Sequence, residues 1–243
     1  MGRLVNRIDT LKGSIRRRLY ADRACVPDHG GREFEVRMWA ISEFIVKKLT
    51  PLVGVHPFPV NELALMVSAV CRIQPSRIYE WGTNIGVSAR IFHETVKHFR
   101  LDSEIHTIDL PDDVHHVEHP GRRRGALIKG IKSVHMHQGD GATTALALWD
   151  ASTKKGKPLF FLDGDHQHES VLRELRLISN RVEFAHFLVH DTLFQSDEAA
   201  YNVGPFLAVR DFLSEVPDRY AVIEERLGLP GMTLLYRKES KAG

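Results

Sequence analysis

The sequence predicts an α/β fold: a doubly wound, mostly parallel seven-stranded sheet with a C-terminal antiparallel hairpin and an N-terminal helical extension. Two observations carry the prediction. From residue 77 onward, short apolar runs alternate with helix-length segments, as parallel strands joined by crossover helices require. The last two runs are joined only by Leu227-Gly-Leu-Pro-Gly231, which is too short for a parallel crossover and so makes a hairpin.

The elements follow in order. Residues 1–24 are basic, and Leu4, Ile8, Leu11, Ile15 and Leu19 recur at helical spacing. Such a segment can lie on an anionic membrane or a partner. Packing on its own domain or on a second subunit is the simpler expectation. Residues 21–34 read as a loop around Pro27, Gly30 and Gly31. Helices are expected near 35–49, through Trp39, Ile41, Phe44, Ile45 and Leu49, and over 61–73, through Leu63, Leu65, Met66 and Val70. Pro51, Gly54, Pro57 and Pro59 make the segment between them a connection. Residues 1–59 are therefore expected to form a helical cap and 60–243 the main domain. Within the latter, strands are predicted at 77–81, 105–109, 134–137, 159–163 and 184–190, with the hairpin at 220–225 and 232–237. Helices are predicted at 87–98, 143–149, 169–178 and 205–216.

Composition narrows the class. The chain has 243 residues, enough for a substantial core, and is 43% hydrophobic and 26% charged, which excludes wholesale disorder. A net charge of +2 argues against a dedicated nucleic-acid binder. Cys25 and Cys71 form no disulfide framework, so a reducing cytoplasm is expected. Charges interrupt the first residues, and no apolar run reaches the ~20 residues of a membrane span, so neither a signal peptide nor membrane insertion is expected.

Ligands of a doubly wound sheet sit at the carboxyl ends of its strands, and that is where the unusual polar residues fall. Glu80-Trp-Gly-Thr-Asn-Ile-Gly86 follows the first strand. Its glycines permit a tight turn and a close ligand, although a strand–helix turn alone explains them too. The spacing lacks the G-x-G-x-x-G of a dinucleotide site, which counts against an NAD-dependent oxidoreductase. Asp109 ends the second strand, where a carboxylate can accept both hydroxyls of a ribose. Asp140, after Gly139, can contact an adenine edge, cap the next helix, or do both. Glu80, Gly82, Thr83, Asn84, Gly86, Ser88, Asp109, Asp140 and Asp163 together form the expected cofactor set.

This order of motifs resembles the class I S-adenosylmethionine-dependent methyltransferases, with their Rossmann-like sheet, over residues 60–238. Phe161-Leu-Asp-Gly-Asp-His166 followed by Val189-His-Asp-Thr192 is similar to a narrower group, the macrocin-type sugar O-methyltransferases and cephalosporin-hydroxylase-like proteins. The resemblance implies S-adenosylmethionine as cofactor, a divalent metal such as Mg²⁺ or Mn²⁺ at Asp163 and Asp191, and His166 as catalytic base. His190 stands where relatives often carry an acid. It is a poor ligand for Mg²⁺ and a good one for Mn²⁺, Fe²⁺ or Zn²⁺. Either His190 joins the metal set, or it is not a ligand, or no metal binds. The implied chemistry is methyl transfer to a hydroxyl of a small molecule or sugar. A non-catalytic nucleoside-binding protein is the reading from another class.

Two features remain. His115, His116 and His119 lack the spacing of a strong metal site, and their loop suits a substrate-facing lid, while Arg122–Arg124 either meet an anionic substrate or form only a solvated face. The amphipathic first segment implies a homo-oligomer.

Overall fold

The computed structural model describes residues 36–114, 121–153, 156–194, 196 and 200–239. The basic segment 1–24, the loop 21–34 and the histidines His115, His116 and His119 lie outside these residues.

The extension begins with α1, Met38–Phe44, which runs through a π-turn, Ile45–Leu49, into a final turn α2, Thr50–Val53. Pro51, expected in a connection, lies in that last helical turn. A proline has no N–H to donate, and a wide π-turn is one way for a helix to pass such a site. α3 (Val60–Ile73) follows, and then the alternating units begin: β1 (Arg77–Trp81), α4 (Val87–Phe99), β2 (Glu104–Asp109), β3 (Val134–Gln138), α5 (Gly141–Ala151), β4 (Leu159–Leu162), α6 (His168–Arg181), β5 (His186–His190) and α7 (Ala200–Glu215). β6 (Tyr220–Glu225) and β7 (Met232–Arg237) form the hairpin.

The seven strands lie in the order β3-β2-β1-β4-β5-β7-β6. β1 to β5 pair in parallel, while β7 pairs antiparallel with both β5 and β6. The connections wind outward in opposite directions from β1 and β4, so the switch point, where such sheets bind ligands, falls between these two strands.

Side-chain alternation divides the core in two. Ile78, Ile105, Phe161, Leu188 and Leu234 face one side, where Ile41, Phe44, Met66 and Phe92 from α1, α3 and α4 meet them. Tyr79, Phe160, Leu162, Phe187 and Leu235 face the other, against α5, α6 and α7. The described part of the extension therefore covers one face of the sheet. Each fully buried side chain of this size contributes about 1.5–3 kcal/mol. On β3, His135 and His137 stack beside His106 of β2. Among the described residues no helix is long and apolar enough to cross a membrane.

Two boundaries differ from expectation where they touch the site. β4 stops at Leu162, so Asp163 is the first residue of the turn beyond it. α7 begins at Ala200 and carries Pro205 inside it instead of at its start. The preceding Gly204 packs on the turn beyond β4: a Cβ there would lie 2.1 Å from the carbonyl oxygen of His166. Only a glycine lets this helix press so closely on the turn that holds His166.

Candidate functional site

A cleft of about 800 Å³ opens over the carboxyl ends of β1 to β5, within the size range of small-molecule sites. Of the residues expected in the cofactor set, Gly82, Thr83, Asn84, Ser88, Asp109, Asp140 and Asp163 line it. His166 and His190 line it as well, whereas Glu80, Gly86 and Asp191 are not among the lining residues.

The turn after β1 is dictated by its backbone. Gly82 has φ 93°, and a Cβ there would stand 2.2 Å from the carbonyl oxygen of Asp163. The close approach that demands glycine is thus made by the chain's own β4 turn. Gly86, with φ 90°, starts α4 and packs on Ile128. Asn84 takes a left-handed conformation that directs its N–H to Asp109 Oδ2 at 3.1 Å. Asp109 also accepts the N–H of Leu110 at 2.8 Å and Arg124 Nε at 3.2 Å. Arg124 further bonds Asp112 and the carbonyl of Leu110. Asp109 is therefore held rigidly, with part of its acceptor capacity left for a ligand.

Glu80 is 1% exposed, beneath the turn. Burial pushes its carboxyl up to about 8, against the hydroxyls of Thr107 and Ser88. Asp140 caps α5 by accepting the N–H of Thr143 at 2.9 Å and pairs with Arg173 at 2.8 Å. Partial burial works against its charge, but Thr143 and Arg173 hold its carboxyl below the usual range. Its capping role is thus present, and it also faces the cleft.

The opposite end of the cleft gathers the histidines and the other acids. His190 Nδ1 lies 2.8 Å from Asp163 Oδ1 and 3.3 Å from Asp191 Oδ2. His166 Nε2 lies 3.2 Å from Asp191 Oδ2 and 3.9 Å from Asp163 Oδ1. Asp163, His190 and Asp191 each offer one ligand atom, all within 4.8 Å of one another. Asp191 is 1% exposed, and its Oδ1 has no hydrogen-bond partner among the described residues. A buried carboxylate oxygen left uncompensated is costly, so the donor set fits a cation. Burial opposes a charge on His190. The Asp163 carboxylate, with Asp191 and Glu62, nevertheless holds the ring well above the usual histidine range.

Three contributors were not singled out by the sequence, although Trp81 lies inside the first motif. Glu62 of α3 is fully buried; its Oε2 meets His190 Nε2 at 3.1 Å and its Oε1 accepts the N–H of Gly231 at 2.7 Å. Its signal was periodicity, since Glu62 shares a helix face with Met66, Ala69 and Ile73, all buried. Phe58, from the expected connection, sets its ring against His190 at 4.8 Å. Trp81 lies over Gly141 and Gly164, where any Cβ would strike the indole, and its Nε1–H donates to Glu174 Oε2 at 3.1 Å. Burial pushes Glu174 up to about 7.

The model of the rhamnosyl O-methyltransferase/CmcI family matches residues 56–233. Among solved structures, the SAH-bound methyltransferase PaMTH1 of Podospora anserina is 15% identical, with 94% of this chain and 96% of that one aligned at a TM-score of 0.51. An O-methyltransferase from Bacillus cereus, also with SAH, is 13% identical over 82% of this chain and 91% of its own, with a TM-score of 0.51. An apo structure of CmcI is 18% identical over 74% and 72% of the two chains, with a TM-score of 0.53. These likenesses show a shared fold. No curated protein matches the sequence.

Proposed function

The chain belongs to the rhamnosyl O-methyltransferase/CmcI family, and from that premise we propose that it methylates a hydroxyl of a small molecule, with a divalent ion at Asp163, Asp191 and His190 and with His166 as base. Membership makes the protein an S-adenosylmethionine-dependent O-methyltransferase of class I, which decides for methyl transfer over hydride transfer. The cofactor supplies a methyl group on sulfonium, transferred in line to the acceptor oxygen.

In this reading Gly82, Thr83, Asn84, Ser88, Asp109 and Asp140 hold the nucleoside end. Glu80 and Gly86 support their turn from behind. Asp109, fixed by Arg124 and two backbone N–H groups, accepts a ribose hydroxyl without having to reorganise. His166 takes the proton of the acceptor hydroxyl, and Asp191, 3.2 Å from its Nε2, stabilises the imidazolium that results. A divalent ion would lower the pKa of a bound hydroxyl and orient an acceptor with two adjacent oxygens, such as a sugar diol or catechol. The enzyme acts as a cytoplasmic homo-oligomer, with no nucleic-acid partner and no membrane insertion.

The observation that supports this most is the convergence of His166, Asp163, His190 and Asp191 at one end of the cleft that Asp109 and Asp140 line at the other. The test is transfer of labelled methyl to a panel of sugar diols and catechols. His166→Ala should lower turnover about 10²–10⁴-fold while calorimetry finds cofactor affinity retained. Asp163→Ala and Asp191→Ala should each abolish metal-stimulated turnover. Full turnover in excess chelator would remove the ion from the mechanism.

A further inference from the structure

We infer that Glu62 makes His190 a metal ligand through Nδ1, and that the site consequently prefers the imidazole-binding divalent metals, Mn²⁺, Fe²⁺, Co²⁺ and Zn²⁺, to Mg²⁺. The inference rests on the reading above that Asp163 and Asp191 hold a cation.

An imidazole binds metal through the lone pair of one ring nitrogen while the other keeps its proton, and the partner of that proton decides which nitrogen faces the metal. Here Nε2 faces Glu62 Oε2 at 3.1 Å. Glu62 is fully buried and is itself fixed, because Oε1 accepts the N–H of Gly231 at 2.7 Å. A carboxylate accepts and does not donate, so the hydrogen must sit on Nε2. Nδ1, whose proton otherwise bonds Asp163 Oδ1 at 2.8 Å, is thereby the nitrogen that gives up its proton and offers its lone pair to an ion held between Asp163 and Asp191. Phe58 and Phe161 pack beside the ring and limit its rotation. The orphaned Oδ1 of Asp191 is an independent sign that the pocket is built for a cation.

The donor set then decides the metal class. Mg²⁺ demands hard oxygen ligands in near-ideal octahedral geometry, and a buried imidazole nitrogen is a poor member of that set. Nitrogen and carboxylate oxygen together suit the later first-row divalent ions, with affinity rising from Mn²⁺ toward Co²⁺ and Zn²⁺. Glu62 comes from α3, which precedes the first strand, so the residue that sets this preference lies outside the strand ends that supply the ligands.

The test uses full-length protein freed of metal by chelation and then dialysed, with Co²⁺ as the visible probe. Co²⁺ should bind one to one with absorption bands that show nitrogen ligation. Zn²⁺ should displace it, and a large excess of Mg²⁺ should not. Glu62→Gln should weaken Co²⁺ about 10–100-fold with cofactor affinity unchanged. His190→Glu, which restores an all-oxygen set, should move the preference toward Mg²⁺, and it decides selectivity even if the Glu62 variant fails to fold. Displacement of Co²⁺ by equimolar Mg²⁺, or a His190→Glu preference identical to wild type, would overturn the inference while leaving the metal itself in place. A folded Glu62→Gln protein that binds Co²⁺ at wild-type strength would remove Glu62 from the role. Absence of any bound metal by elemental analysis would instead overturn the cation reading on which it rests.

Discussion

Glu80 is an acid placed where ionisation is costly. Its carboxyl is raised to about 8 by burial, while an unfolded chain would titrate it near 4.5. Between those values the folded protein holds a proton that the unfolded chain has already lost. Stability must therefore fall as pH rises across this window and level off above about 8. Glu80→Gln keeps the shape without the titration. Its urea midpoint should change less between pH 5 and 8, and its unfolding free energy should exceed that of wild type at pH 8 by an amount on the order of a few kcal/mol. Parallel profiles for the two proteins would show that Glu80 titrates normally. The sequence placed Glu80 correctly at a strand end, but it could not show that the side chain turns inward. The same limit hid the partner of His190: Glu62 lies 128 residues away, and only tertiary packing brings the two together. Arg124, 15 residues after Asp109, was legible as a basic group near the site but not as the clamp on that carboxylate.

Among the elements, the strands were the most legible, because apolar runs such as Leu159–Leu162 and His186–His190 are buried along their whole length. Helix ends were less so. The run of prolines hid the helical turn at Pro51, and Pro205 read as a start although α7 begins five residues earlier. Both misplacements have one cause: proline loses a single hydrogen bond, and packing can outweigh that loss. α7 yields a prediction of its own. Gly204→Ala would put a Cβ 2.1 Å from the His166 carbonyl, so helix and turn must separate. Overpacking of this kind costs about 1–3 kcal/mol. A shift of His166 by an ångström should lower turnover roughly 10²-fold, with the circular dichroism spectrum and cofactor affinity preserved. Unaltered turnover would mean that the turn yields without moving the histidine.

The whole molecule uses its extension on two sides. Ile41, Phe44, Ile45 and Leu49 fill the core beneath the sheet and stay buried. The opposite side of the same helical run presents Trp39, 91% exposed, and Val46, 63% exposed, seven residues apart and so on one face. Leu52 and Val55, which follow in the chain, are exposed as well. A helix that is apolar on both faces needs a second cover. Its sequence neighbour 1–24, which lies outside the described residues, carries the apolar set Leu4, Ile8, Leu11, Ile15 and Leu19 at helical spacing. Either that segment covers Trp39 and Val46 within one chain, or it does so together with a second copy. The homo-oligomer expectation requires the latter. Light scattering on the full chain should then report a mass above 27.6 kDa. Deleting 1–24, or replacing Trp39 and Val46 with lysine, should shift the species toward one chain, while cofactor binding at the carboxyl ends of the strands stays intact. A monomeric full-length protein would defeat the assembly and assign the cover to the chain's own first residues.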